Sequence, residues 1–99
     1  MPAGYVVVIR EKTRDADKLD QYRQMVPAAF QKYPARFLAR NGRLEVLEGP
    51  QCEGVIILEF PSYEAAQAWY HSKEYRAACQ QRFQGGDYRF ILTEGVAAP

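Results

Sequence analysis

Apolar residues recur along the chain in two rhythms, one of period two and one near the 3.6 residues of a helical turn. Tyr5-Val6-Val7-Val8-Ile9 is β-branched and aromatic and predicts a strand. Its two faces, Tyr5, Val7, Ile9 and Val6, Val8, are both apolar. Thr13 to Asp17 marks a helix start, because Thr13 or Asp15 can accept from free backbone N–H groups and acidic side chains suit the positive helix end. Leu19, Tyr22, Val26, Ala29, Phe30 and Tyr33 then repeat at helical spacing. Pro27 lies inside that stripe and cannot donate to the carbonyl of Arg23, so a kink or a break into two short helices is expected. Pro34 ends the helix.

Two strand-like runs follow, Arg36 to Arg40 and Leu44 to Glu48, on either side of Asn41-Gly42. That dipeptide is a hairpin signal, or alternatively a bulge within one bent strand. Gly49 to Gly54 reads as a turn or loop. Val55 to Phe60 is the third strong strand, apolar on both faces apart from Glu59. Pro61-Ser62 opens a helix with Ser62 as cap and Tyr63, Ala66, Trp69 and Tyr70 as its buried stripe. The stripe fails at Lys73, where Ser72 is placed to cap a second short helix turning Tyr75, Ala78, Cys79 and Phe83 inward. Gly85-Gly86-Asp87 predicts a turn, and Tyr88 to Glu94 the last strand.

Strand, helix, one or two strands, strand, helix, strand is the order of an α+β ferredoxin-like sandwich, an antiparallel sheet with its helices on one face. Helices on one face leave the other open, yet two main strands are apolar on both sides. Burying a Val or Ile side chain is worth roughly 1.5–3 kcal/mol, so a second copy of the sheet is the simplest cover. A homodimer with sheets face to face is therefore expected.

Bulk numbers narrow the function. The 99 residues make one domain, 1–99, with a formal net charge of +1. Spread basic residues and a balanced charge argue against nucleic acid or an acidic membrane as partner. Met1-Pro2-Ala3-Gly4 lacks the basic head and apolar stretch of a signal peptide, and no apolar run reaches membrane-spanning length, so a cytoplasmic domain is expected. Cys52 and Cys79 stand far apart and read as free thiols, without metal-site spacing.

Arg36 to Gly42, then Glu45 to Gly49, then Glu59-Phe60-Pro61-Ser62-Tyr63-Glu64-Ala65-Ala66 with Trp69-Tyr70, Ser72 and Glu74-Tyr75, closing on Glu94-Gly95-Val96, resembles the family catalogued as domain of unknown function 1330. The resemblance covers nearly the whole chain. It implies the dimeric α/β-barrel superfamily, in which two ferredoxin-like subunits form a barrel. That superfamily includes cofactor-free monooxygenases, haem-degrading enzymes, isomerases and stress-induced proteins. The chain departs from the family pattern at Pro34-Ala35, usually Gly-Gly, at Asn41, usually Gly, and at Lys73, usually Pro. Residues 50–53 also lack a tryptophan often found there. These departures bear on loop shape and pocket access.

Candidate chemistry centres on the corner after the third strand. Glu59 shares a face with Val55 and Ile57, and desolvation there would raise its pKa toward that of a general acid or base. A structural ion pair is the alternative. Arg36 and Arg40, counted along a regular strand, fall on one face and could hold a carboxylate or enolate. Arg40, beside Asn41-Gly42, is expected to face Glu59 across a cavity, or else to form a salt bridge with Glu48 or Glu59. His71, the single histidine, is a candidate base or haem ligand, or a cation at a helix C-terminus. One histidine without clustered ligands does not make a metal site. Trp69, Tyr63, Tyr70 and Tyr75, with Tyr5 or Tyr88 offering a hydroxyl, are candidates for an aromatic substrate pocket, with core packing as the alternative for Trp69. The expected protein is a small-molecule binder with no metal and no cofactor. It would be a cofactor-independent monooxygenase- or isomerase-like enzyme acting on a small oxygenated or aromatic compound, or a non-catalytic dimeric ligand-binding or stress-related protein.

Overall fold

The computed structural model describes residues 2–97. Seven elements follow one another: β1 (Gly4–Thr13), α1 (Ala16–Lys32), β2 (Arg36–Arg40), β3 (Gly54–Phe60), α2 (Tyr63–His71), α3 (Lys73–Gly85) and β4 (Gly86–Glu94). The four strands form one antiparallel sheet in the order β2-β3-β1-β4. This is the ferredoxin-like topology that the element order predicts. The backbone spans 42 × 35 × 17 Å, the thickness of one helix layer on one sheet.

Caps set the helix ends. The Asp15 carboxylate accepts from the N–H groups of Asp17 and Lys18 at 3.1 and 3.3 Å. Ser62 Oγ accepts from Ala65 at 3.0 Å. Ser72 serves two helices at once, its Oγ donating to the Trp69 carbonyl at 2.8 Å and accepting from the Tyr75 N–H at 3.2 Å. The expected division of the second helical region at Ser72 is therefore built by one hydroxyl.

Strand alternation sorts the sheet. Val6, Val8, Leu58 and Phe60 are buried against the helices, with Phe90 and Leu92 of β4 beside them. Tyr5, Val7, Ile9, Val55 and Ile57 point the other way and are half-buried, with no helix over them. Trp69 is the hub of the core at 1% exposure. Its ring centre lies 4.3 Å from Tyr75, 5.3 Å from Phe60 and 5.5 Å from a nearly parallel Phe30.

Several expectations are corrected. Of the two outcomes expected at Pro27, a kink or a break, the break is not formed, since α1 runs as one helix to Lys32. Arg23 and Pro27 are both exposed, so water can satisfy the carbonyl that lacks a donor. Leu44 to Glu48 forms no strand, and Asn41-Gly42 is neither hairpin turn nor bulge. Asn41, at φ 52°, sits in the left-handed region that asparagine tolerates. Its N–H donates to the Val55 carbonyl at 2.9 Å, and the chain then leaves the sheet. The loop is tied down at Glu53, whose carboxylate accepts from the Thr13 hydroxyl and N–H at 2.7 and 2.9 Å. Those bonds, first among several influences, hold the Glu53 carboxyl below the usual carboxylate range.

The bulge lies instead near Leu38, where the β2–β3 register slips between Phe37 and Ala39. It rotates the end of β2, so that Arg36 pairs with Glu59 on the open face while Arg40 pairs with Ile56 on the helix face. The two arginines do not share a face. On α3, Tyr75, Ala78 and Cys79 are inward as expected, but Arg82 takes the next inward turn and Phe83 is 47% exposed. Finally, α3 ends at Gly85 and β4 begins at Gly86, leaving no separate turn. A Cβ on Gly85 would come within 2.6 Å of the Leu19 side chain, so only glycine lets this junction close on α1.

Candidate functional site

Helix α1 packs along α3, and its backbone stands off the sheet, which it reaches only through side chains such as Phe30. Between α1 and the helix-facing side of the sheet lies a cavity of about 380 Å³, within the size range of small-molecule sites. Val8, Ile56 and Leu58 form its floor, Val26 and Phe30 its roof, and Trp69 a wall. Phe37 closes one side, its ring edge-on to Phe30 at 5.7 Å.

The polar groups of the lining are uneven in sign. Arg10, Arg23 and Arg40 border the cavity with Asn41, Tyr22 and Tyr88, and no carboxylate lines it. Arg10 is held 3.5 Å from Glu53, and Arg23 lies 2.9 Å from the Asp20 carboxylate. Arg40 rests over the Phe37 ring at 4.4 Å. Such a pocket offers apolar walls and positive charge, which suits an apolar molecule carrying an electron-rich oxygen.

Deeper in, the Tyr22 and Tyr75 hydroxyls are 2.7 Å apart. Burial pushes both above the ordinary tyrosine value. Tyr22 is raised well above it, with Tyr75 as a further cause, and Tyr75 is pushed up to about 12 although the Arg82 guanidinium pulls the other way. Both hydroxyls are thus neutral donors near neutrality. A folded-state pKa above the unfolded one gives stability that is complete below the unfolded value of 10.0 and lost as pH rises through the folded value. Urea unfolding followed across alkaline pH should therefore fall more steeply in the wild type than in a Tyr22→Phe, Tyr75→Phe double variant. Parallel curves would remove the pair from the alkaline transition.

The candidates read from sequence are divided among three places. Arg40 and Trp69 meet at this cavity, as does Tyr88. Glu59, Arg36 and Tyr5 come together on the opposite face of the sheet, with Arg36 Nη2 2.8 Å from Glu59 Oε1 and the Tyr5 hydroxyl donating to Glu59 Oε2 at 3.1 Å. That hydrogen bond is the chief reason the Tyr5 hydroxyl sits above its ordinary value. The expected arrangement of Glu59 facing Arg40 across one cavity is not formed, because the Leu38 bulge sends Arg40 to the other side. Tyr70 and His71 line a separate cavity of about 240 Å³ between α2 and β4. His71 is exposed at the end of α2, edge-on to Tyr70. Tyr70 in turn lies under the Arg76 guanidinium.

Tyr75 is a candidate pocket aromatic by sequence, but its hydroxyl contact with Tyr22 and the inward Arg82 are not anticipated. The signal for Arg82 was present, since 75, 78, 79 and 82 keep helical spacing. Nothing in the sequence pairs Tyr22 with Tyr75. Among the described residues no group of three or more His, Cys, Asp or Glu side chains could hold a metal ion, and no helix is long and apolar enough to cross a membrane.

Comparison with known proteins bears on the family and the fold. The family model described as domain of unknown function (DUF1330) matches residues 3–96. A protein of unknown function from Rhodopseudomonas palustris is similar in structure with a TM-score of 0.75 at 19% identity, over 98% of this chain and 85% of that one. A dabb family protein with a ferredoxin-like fold from Mesorhizobium loti gives 0.69 at 9% identity, over 98% and 100%. A dimeric protein of unknown function and ferredoxin-like fold from Bacteroides fragilis gives 0.59 at 15% identity, over 93% and 95%. No curated protein matches the chain.

Proposed function

The chain belongs to the DUF1330 family, and because that family carries no reaction in its name, we propose from the cavity itself that the protein binds a small apolar, oxygen-bearing molecule. The observation that carries this reading is the 380 Å³ space held open by α1 standing off the sheet. The space opens to solvent beside Arg23, Arg40 and Asn41, the form of an apolar cleft that small-molecule sites take. Aromatic walls and Arg40, which forms no ion pair among the described residues while Arg10 and Arg23 are matched by Glu53 and Asp20, favour an aromatic or oxygenated ligand. Cofactor-independent chemistry of the monooxygenase or isomerase kind would fall to Tyr22 and Tyr88, since neither Glu59 nor His71 reaches the cavity. Binding is therefore the primary reading.

The second part of the proposal is a homodimer joined through the open sheet face. Val7, Ile9, Val55 and Ile57 lie there without a helix over them, and the Bacteroides fragilis protein of the same fold is described as dimeric. Leu47, 83% exposed on the loop after β2, adds apolar surface.

Quenching of Trp69 fluorescence by 1-naphthol tests the binding reading. Wild-type protein should give a saturable signal, and Val26→Phe, which fills the roof of the cavity, should weaken binding about tenfold without lowering the melting temperature. Equal affinity in the two proteins would place binding elsewhere.

A further inference from the structure

The floor of the cavity under α1 changes character along the strands. On the helix-facing side of the sheet β3 presents Leu58, then Ile56, then Gly54, and their partners on β1 are Val6, Val8 and Arg10. Arg40 stands beside Ile56 at the end of β2, and Tyr88 stands beside Arg10 on β4. The row at Gly54 is thus polar, while the next rows are apolar. Gly54 lets that polar row form. A Cβ there would come within 2.5 Å of the Asn41 amide oxygen and 3.0 Å of Arg10 Nη2, so the two side chains converge over bare backbone.

Helix α1 repeats this division overhead. It starts by the Thr13 end of β1, where the Arg14 and Asp15 N–H groups donate to the Gly85 carbonyl, and it ends before Arg36, the partner of Glu59. Tyr22 and Arg23 therefore lie toward the polar end of the cavity. Phe30, stacked on Trp69 and edge-on to Phe37, lies toward the apolar end.

The charges at the polar end are not all matched. Arg23 is paired with Asp20 at 2.9 Å. Arg10 lies 3.5 Å from the Glu53 carboxylate and its Nη2 donates to the Glu53 carbonyl at 3.3 Å, but its Nε is buried without a hydrogen-bond partner. Arg40 forms no ion pair among the described residues. Its guanidinium carbon stands over the Phe37 ring at 4.4 Å, an arrangement that occupies a face of the group and leaves its in-plane N–H donors for another partner.

We propose that the ligand of this cavity is an aromatic monocarboxylate, with its ring against Phe30 and Phe37 and its carboxylate at the mouth, on Arg40 beside Asn41 and Arg10. This rests on the cavity being a ligand site and adds the chemical class that it takes. A guanidinium is permanently charged, has only donors, and presents paired N–H groups that match the two oxygens of a carboxylate. No carboxylate of the protein lines the cavity to compete for it. Arg40 is the one unmatched charge of the lining, so a single negative charge balances it.

Calorimetric titration with 1-naphthoate and with 1-naphthol at pH 7 and low salt tests the proposal, since the two share a ring system and only the carboxyl is ionised there. Wild-type protein should bind 1-naphthoate about tenfold more tightly than 1-naphthol. In Arg40→Gln that preference should shrink to about twofold or less, with 1-naphthol binding within about twofold of wild type. Asn41→Gly keeps the left-handed backbone and removes the amide, and should cost 1-naphthoate about threefold. Lys73→Gln removes the same charge from the exposed start of α3 and should leave the preference as it is. Equal affinity for the two compounds in wild type overturns the carboxylate proposal and leaves the cavity reading intact. So does a preference that survives both Arg40→Gln and Asn41→Gly, or one lost as fully in Lys73→Gln. Failure of both compounds to bind overturns the cavity reading, and this proposal with it.

Discussion

Trp69→Ala should destabilise the protein by about 3–5 kcal/mol, the upper range for removing a buried aromatic side chain. Trp69 is in ring contact with Phe30, Phe60, Tyr70 and Tyr75, which come from α1, β3, α2 and α3. Removing the indole therefore loosens four elements together. The cost of a large-to-small change depends on how far its surroundings can collapse into the gap. Here one side of the gap is already the cavity under α1, so little can move in to fill it. Domain stabilities are typically about 5–15 kcal/mol, which makes this a loss of a third or more for most proteins of the size. Urea unfolding should show the midpoint falling with little change in slope, and Trp69→Phe should lose much less. A loss under about 1 kcal/mol for alanine would mean that the ring is not the hub of the core.

Ile57→Asp should turn a dimer into a monomer. Ile57 sits in the middle of the open face, opposite Val7 on β1 and Ala39 on β2. Its side chain points away from the helices, so a monomer would present the introduced carboxylate to water at small cost. In a face-to-face dimer related by two-fold symmetry the substitution buries two unpaired carboxylates, a penalty of several kcal/mol per ion even after relaxation. Light scattering at micromolar concentration should report twice the chain mass for wild type and one chain mass for the variant, with the helical circular dichroism retained. A wild-type monomer, or a variant that stays dimeric, would rule out this face as the interface.

Much of the fold is legible in the sequence because it is written locally. β-branched runs place β1 and β3, and the short polar side chains of Asp15, Ser62 and Ser72 fix helix ends through bonds spanning two or three residues. Leu44 to Glu48 has the composition of a strand and forms none, because pairing needs a neighbour and the ladder passes from β2 to Asn41 and stops. Tertiary placement is less legible. Glu59 does share a face with Val55 and Ile57, but that face is the open one, and one extra residue at Leu38 puts Arg40 on the other. Counting by twos assumes a regular strand. The Tyr22–Tyr75 contact joins residues 53 apart in sequence, and no local pattern encodes it. Composition favours Phe83 over Arg82 as the inward residue because charge argues against burial, although three aromatic rings make a place for the guanidinium.

The cavity beneath α1 is the basis of the functional reading, and a methyl-resolved NMR titration with 1-naphthol tests it most directly. Val8, Val26, Ile56 and Leu58, which line the cavity, should shift together and saturate on one binding curve. Val7, Val55 and Ile57, on the opposite face of the same strands, should stay in place. Shifts confined to the open face, or no shift at any of the cavity methyls, would contradict a ligand site between α1 and the sheet.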